Sequence, residues 1–230
     1  MPLAITDALL GIDALARHLT AAGWKVRTVG SAAQRGLLDL VDEPPHYLRV
    51  SGRAVSEVRL RLGGALFGQS SGTLKLGPLP VHHTRPLPMQ LHWLVPLDPA
   101  GRLEAFDAKL STRRGGLFWT GEVEHAAWTG GTLAQALDLH PERVLEGARG
   151  LRLGESLRVS PDPDRACVRI IHQSKVTVRF SLLSSEVLSA ERHLPERELL
   201  DGIEWIASEI LGLGRPRRTR KAAKRGRRKQ

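Results

Sequence analysis

The period of the hydrophobic pattern changes twice along this chain, and that change limits the fold more than any other feature. Apolar residues recur at three- and four-residue steps near both ends and at every second residue through much of the interior. Helical side chains share a face every 3.6 residues and strand side chains every two, so the pattern separates the elements. Thr6 precedes Leu9, Leu10, Ile12, Leu15, Ala16 and Leu19, and Gly23 closes the run, which predicts a capped amphipathic helix over 7–22. At the other end Pro195 opens a helix in which Leu199, Ile203, Ile206 and Ile210 form one stripe, stopped by Gly212 and Gly214.

Between these ends Val58, Leu60 and Leu62 alternate with Arg59 and Arg61, Leu74 and Leu76 flank Lys75, and Leu91 and Trp93 alternate with Gln90 and His92. Each run predicts an antiparallel strand with one apolar and one polar side. Further strands are expected over 24–29, 102–110, 117–123, 156–159, 166–171 and 176–183. Loops join them at 160–165 and 172–175, and another at 111–116 carries Arg113 and Arg114 at its tip. Short helices are expected over 32–41, 132–139 and 141–148, the last opened by Pro141, which suits a first helical turn. The order does not alternate strand and helix, which disfavours a parallel sheet. The expected class is α+β: predominantly antiparallel sheet flanked by N-terminal, central and C-terminal helices. This body spans 1–214, with a possible subdomain border in the proline-rich stretch 77–88.

Charge divides the chain at the same point. Residues 215–230 hold ten cations (Arg215, Arg217, Arg218, Arg220, Lys221, Lys224, Arg225, Arg227, Arg228 and Lys229) and no acid. Removing them from the total of 34 Lys and Arg leaves 24 against 24 acids, so the body is formally neutral and the tail carries the whole net charge of +10. The tail has no large apolar group to offset ordering entropy and is expected to be disordered when free.

The 41% hydrophobic content over 230 residues is enough for a sizeable core. No apolar run approaches the roughly 18–20 residues of a membrane helix, and the first residues carry Asp7 and Asp13 without a basic leader. No membrane partner is therefore expected. Cys167 is the single cysteine, which excludes an intramolecular disulfide and fits a reducing cytoplasm. Twenty Arg against four Lys in the body point to a GC-rich bacterial source.

Catalytic patterns are weak. Gly68-Gln69-Ser70-Ser71-Gly72 has the G-x-S-x-G spacing, but the alternating and proline-broken residues after it do not form the helix a nucleophile elbow needs. Asp98 and Asp107 are too far apart along an extended strand to share an ion. His82 and His83 point to opposite sides of an extended chain, and no acid joins them or His92. Asp162 and Asp164 follow prolines and read as turn formers. Cys167 has no activating neighbour and reads as a structural thiol. The expectation is a protein without enzymatic activity, cofactor or metal.

A flexible polycation binds nucleic acid by displacing condensed counterions, recognising phosphate without sequence choice. In composition the tail resembles the Lys/Arg/Ala-rich C-terminal tails of histone-like and other bacterial DNA-associated proteins. Within the body, Arg59, Arg61, Lys75, Arg158, Arg169 and Arg179 fall on the polar side of expected strands and would add a basic sheet face beside Arg113 and Arg114. No exposed aromatic for base stacking is identified. The final helix carries Glu196, Glu198, Asp201, Glu204 and Glu209 against Arg197, an acidic face on which the free tail is expected to rest. The functional expectation is electrostatic, salt-sensitive binding of DNA or RNA in the cytoplasm, on the nucleoid if the ligand is DNA. The alternative is a protein–protein adaptor or chaperone-like module whose tail only solubilises or localises it.

Overall fold

A computed structural model describes residues 5–30, 47–62, 83–97, 103–116, 121–180, 185–187 and 194–214. The expected helix at 32–41, the strand around Lys75, the G-x-S-x-G stretch, His82 and the basic tail lie outside the described residues. The chain runs α1 (Ile5–Ala21), β1 (Lys25–Val29), β2 (Tyr47–Ser51), β3 (Glu57–Leu62), β4 (His83–Pro96), β5 (Ala108–Arg114), β6 (Val123–Gly130), α2 (Thr132–Asp138), α3 (Pro141–Arg149), β7 (Ser156–Asp162), β8 (Cys167–Phe180), β9 (Ser185–Val187) and α4 (Arg197–Gly214). The strands join one antiparallel sheet in the order β1-β2-β3-β4-β8-β7-β5-β6, with β9 against β8. The α+β class holds.

Alternation within each strand sorts the side chains between two unlike faces. On one face Val58, Trp93, Ile170, Val159 and Ala108 lie opposite one another across five neighbouring strands. They share a single buried cluster with Leu15 and Leu19 of α1, Leu133 and Leu137 of α2, Val144 of α3, and Leu199, Ile203, Ile206 and Ile210 of α4. The helices therefore stack on this face, where burying a side chain such as Leu15 or Ile203 contributes about 1.5–3 kcal/mol. Leu94, Cys167 and Ile171 on the opposite face are buried but stand outside that cluster. Among the described residues no helix packs there.

Several expected boundaries need correction. The strands expected over 166–171 and 176–183 are, as far as Phe180, one strand, β8, paired with β4 along all fourteen of its residues; 181–183 lie outside the described residues. The polar run His172–Lys175 that suggested a loop is instead a sheet interior, with His172 and Ser174 turned into the core and fully buried. Likewise Ser111–Arg114 continues β5, after a 3-10 turn at Leu103–Phe106 in place of the strand expected to start at 102. Strand β6 begins at Val123, residues 117–120 of the expected strand 117–123 lying outside the described residues, and β7 runs on to Asp162. β2 was not anticipated; its five residues follow closely on two prolines, Pro44 and Pro45.

Candidate functional site

The face opposite the described helices is built from the polar half of each strand, and the register shows how its cations assemble. One ladder crosses the whole sheet: Val29, Tyr47, Arg59, His92, Ile171, Arg158, Lys109 and Thr129 are successive cross-strand partners. A second row holds Arg27, Arg49, Glu57, Leu94, Arg169 and Ser160, and a third holds Arg61, Gln90, Gln173 and Ser156. Four arginines expected on a common sheet face, Arg59, Arg61, Arg158 and Arg169, are thus brought together. Arg179 occupies the same parity in β8 as Arg169, opposite Thr84 and Glu186. Lys75 lies outside the described residues, as do the ten tail cations Arg215 to Lys229.

Arg27, Arg49 and Lys109 join the face and were missed by sequence reading. All three are exposed; Arg27 and Lys109 stand in strands expected over 24–29 and 102–110, and only Arg49 lies in a strand, β2, that was not anticipated. Arg113 is exposed as expected, but Arg114 is not at a loop tip. Its guanidinium donates to the Leu151 carbonyl and, at 3.1 Å, to the Gly121 carbonyl, tying β5 to neighbouring loops.

Among the described residues the strands place Glu57, Asp162 and Glu186 on this face, the last opposite Arg179. Glu57 accepts from Arg59 at 2.8 Å, and Asp162 lies 3.5 Å from Arg169. Two cation pairs are directly opposed across strands: Arg27 faces Arg49, and Lys109 faces Arg158, all four exposed. Like charges directly opposite one another destabilise a strand pair; Arg49 also stands opposite Glu57, whereas neither Lys109 nor Arg158 has an acid as a direct cross-strand partner.

At the centre sits His92, only 8% exposed although no described helix covers it. Its Nε2 lies 3.0 Å from Gln90 Oε1. Burial, together with the positive field of Arg169, Arg61, Arg158 and Arg59, lowers its pKa to about 4, so the imidazole is neutral at pH 7. The four guanidiniums that depress it are the same four that the ladders converge on. Tyr47 is the one Phe, Tyr or Trp side chain on this face among the described residues. It is half-buried, with the Arg59 guanidinium 4.9 Å from its ring centroid and Arg49 donating to its hydroxyl at 3.4 Å.

The rest of the molecule offers less chemistry. Cys167 is buried, and burial with nearby Asp162 pushes its thiol up to about 11, leaving an inert thiol. His172 and Glu155 form a buried pair 3.1 Å apart with no route to solvent at the imidazole. Burial would raise the Glu155 carboxyl, but hydrogen bonds from His172 and the Arg152 amide hold it below the usual carboxylate range. A groove of about 270 Å³ between α3 and α4 is lined by Arg143, Glu146, Glu198, Asp201 and Trp205, a mainly acidic wall unsuited to phosphate. Of the acids on the last helix and just before it, Glu196 pairs with Arg152 at 3.0 Å. Glu204 accepts from the Ala54 amide at 3.2 Å and lies 4.0 Å from Arg53. Among the described residues no helix is long and apolar enough to cross a membrane, and no group of three His, Cys, Asp or Glu is placed to hold a metal ion. No family model, curated protein or solved structure matches the chain.

Proposed function

We propose that this chain is a non-enzymatic nucleic-acid-binding protein whose sheet face opposite the described helices and C-terminal basic tail both engage phosphate without sequence choice. The observation that carries the reading is the two pairs of opposed cations, Arg27 with Arg49 and Lys109 with Arg158, on a face where Glu57 and Asp162 already lie beside Arg59 and Arg169. A free protein gains nothing from that repulsion, whereas a polyanion laid across the sheet relieves it. Tyr47 and Lys109 stand five strand spacings apart on one ladder, about 24 Å, a separation that several phosphates would span. The tail adds ten charges at the end of α4 and raises affinity over distance and encounter rate. A cytoplasmic, nucleoid-associated location in a bacterial cell goes with this reading when the ligand is DNA.

The test is an electrophoretic shift assay with duplex and single-stranded oligonucleotides at 50–150 mM salt, ~10 Å Debye length. It compares the intact protein, the chain ended at Gly214, and each with Lys109, Arg158 and Arg169 replaced by Gln. Ending the chain at Gly214 weakens binding but leaves a residual affinity, and the triple substitution removes that residue. If neither intact nor shortened protein binds, the adaptor reading takes its place.

A further inference from the structure

Resting on that reading, we infer that the sheet face selects single-stranded over duplex nucleic acid, with Tyr47 as the platform on which a base stacks. The breadth of the surface argues first. The cations are spread across strands β1 to β5 of the sheet, and Tyr47 and Lys109 stand about 24 Å apart along one ladder. The major groove of B-DNA is about 12 Å wide and admits one helix or a two-stranded ribbon. This face meets a duplex only at its phosphate ridges, leaving its remaining groups without partners.

Those remaining groups suit unpaired bases. Tyr47 presents a half-buried ring whose position is held by Arg59, 4.9 Å from the ring centroid, and by Arg49 at its hydroxyl. A ring fixed in this way loses little entropy when a base stacks on it, and stacking tolerates every base. Gln90 and Gln173 face each other across β4 and β8 beside Arg61, with Ser156 next in the row, and Gln173 is exposed. Amide and hydroxyl groups of this kind pair with the edges of bases that a duplex keeps paired. Aromatic ring, amides and cations share one face in register, the combination used by sheet surfaces that bind single strands.

The experiment measures fluorescence anisotropy of dT20, rU20 and a 20-base-pair duplex on the full chain at 150 mM salt. Tighter binding of either single strand than of the duplex is expected, and Tyr47→Ala weakens the single strands about fivefold or more while leaving the duplex unchanged. Tyr47→Phe, which keeps the ring, retains most of the affinity. Duplex binding as tight as single-strand binding, or equal losses for both on Tyr47→Ala, overturns the inference while leaving the phosphate-binding face intact. Failure of all three ligands removes the parent reading as well. Independently of any variant's folding, photo-cross-linking of a 4-thiothymidine strand to the unmodified protein labels the peptide containing Tyr47; labelling confined to other peptides contradicts the assignment.

Discussion

Two cations set opposite each other across a strand pair are a cost that a solitary protein has no reason to keep. Lys109 and Arg158 occupy such a pair, both exposed, so changing one sign converts repulsion into a cross-strand ion pair. Lys109→Glu is predicted to stabilise the free protein by about 0.5 kcal/mol in urea unfolding and, at the same time, to weaken nucleic-acid binding. A variant that loses both stability and binding contradicts the account. His92 gives a second residue-scale test. Its folded pKa, about 4, lies below the ordinary 6.5, so the unfolded chain takes up the proton first as pH falls. The stability owed to the neutral imidazole is complete above pH 6.5 and is lost between there and about 4, on the order of 2 kcal/mol by pH 5. Urea unfolding at pH 7.5 and 5 should show this loss in the wild type and not in His92→Gln. The burial of His92 was not legible in the sequence. Alternation with Leu91 and Trp93 placed it correctly on the polar side, but only the assembled strands reveal how its neighbours enclose it.

At the scale of elements, the helix layer depends on a close crossing of α3 and α4. A Cβ built on Gly202 would stand 2.9 Å from the Gly147 Cα, and one on Gly147 3.2 Å from the Gly202 Cα. Gly202→Ala raises helix propensity yet forces the two backbones apart, so a net destabilisation of about 1–3 kcal/mol is expected. Gly212 lies in the same helix with nothing within 4 Å of an added Cβ, and Gly212→Ala is expected to raise stability by up to about 1 kcal/mol. Thermal unfolding of the two variants should move in opposite directions, and a shared direction would refute the crossing. The helices themselves were readable: the expected stripe Leu199, Ile203, Ile206 and Ile210 is fully or nearly fully buried in α4. The strands were less so. A polar run inside a long central strand, His172–Lys175, has the composition of a loop, and only pairing with Met89 and its neighbours makes it sheet. The five-residue β2, close behind Pro44 and Pro45, did not stand out from its flanks.

Over the whole molecule, a formally neutral body separates its charge by face. Cations gather on the side of the sheet opposite the described helices, while Glu198, Asp201, Glu204 and Glu209 lie on α4 in the helical layer. The sequence contained both halves of this division, since the arginines alternate with core residues in strands and the acids cluster in the last helix. What it lacked was the strand order that puts β3, β4, β8 and β7 side by side. That order turns scattered arginines into a surface, and it places Tyr47 within reach of two of them. The most direct measurement of the central claim is the salt dependence of dT20 affinity for the full-length protein and for the variant with Lys109, Arg158 and Arg169 replaced by Gln. Each lost phosphate contact reduces the slope of log K against log salt by about 0.7 for a single strand. A sheet face that binds phosphate predicts a slope shallower by about 2 in the variant; identical slopes would assign all binding to the tail and contradict the account.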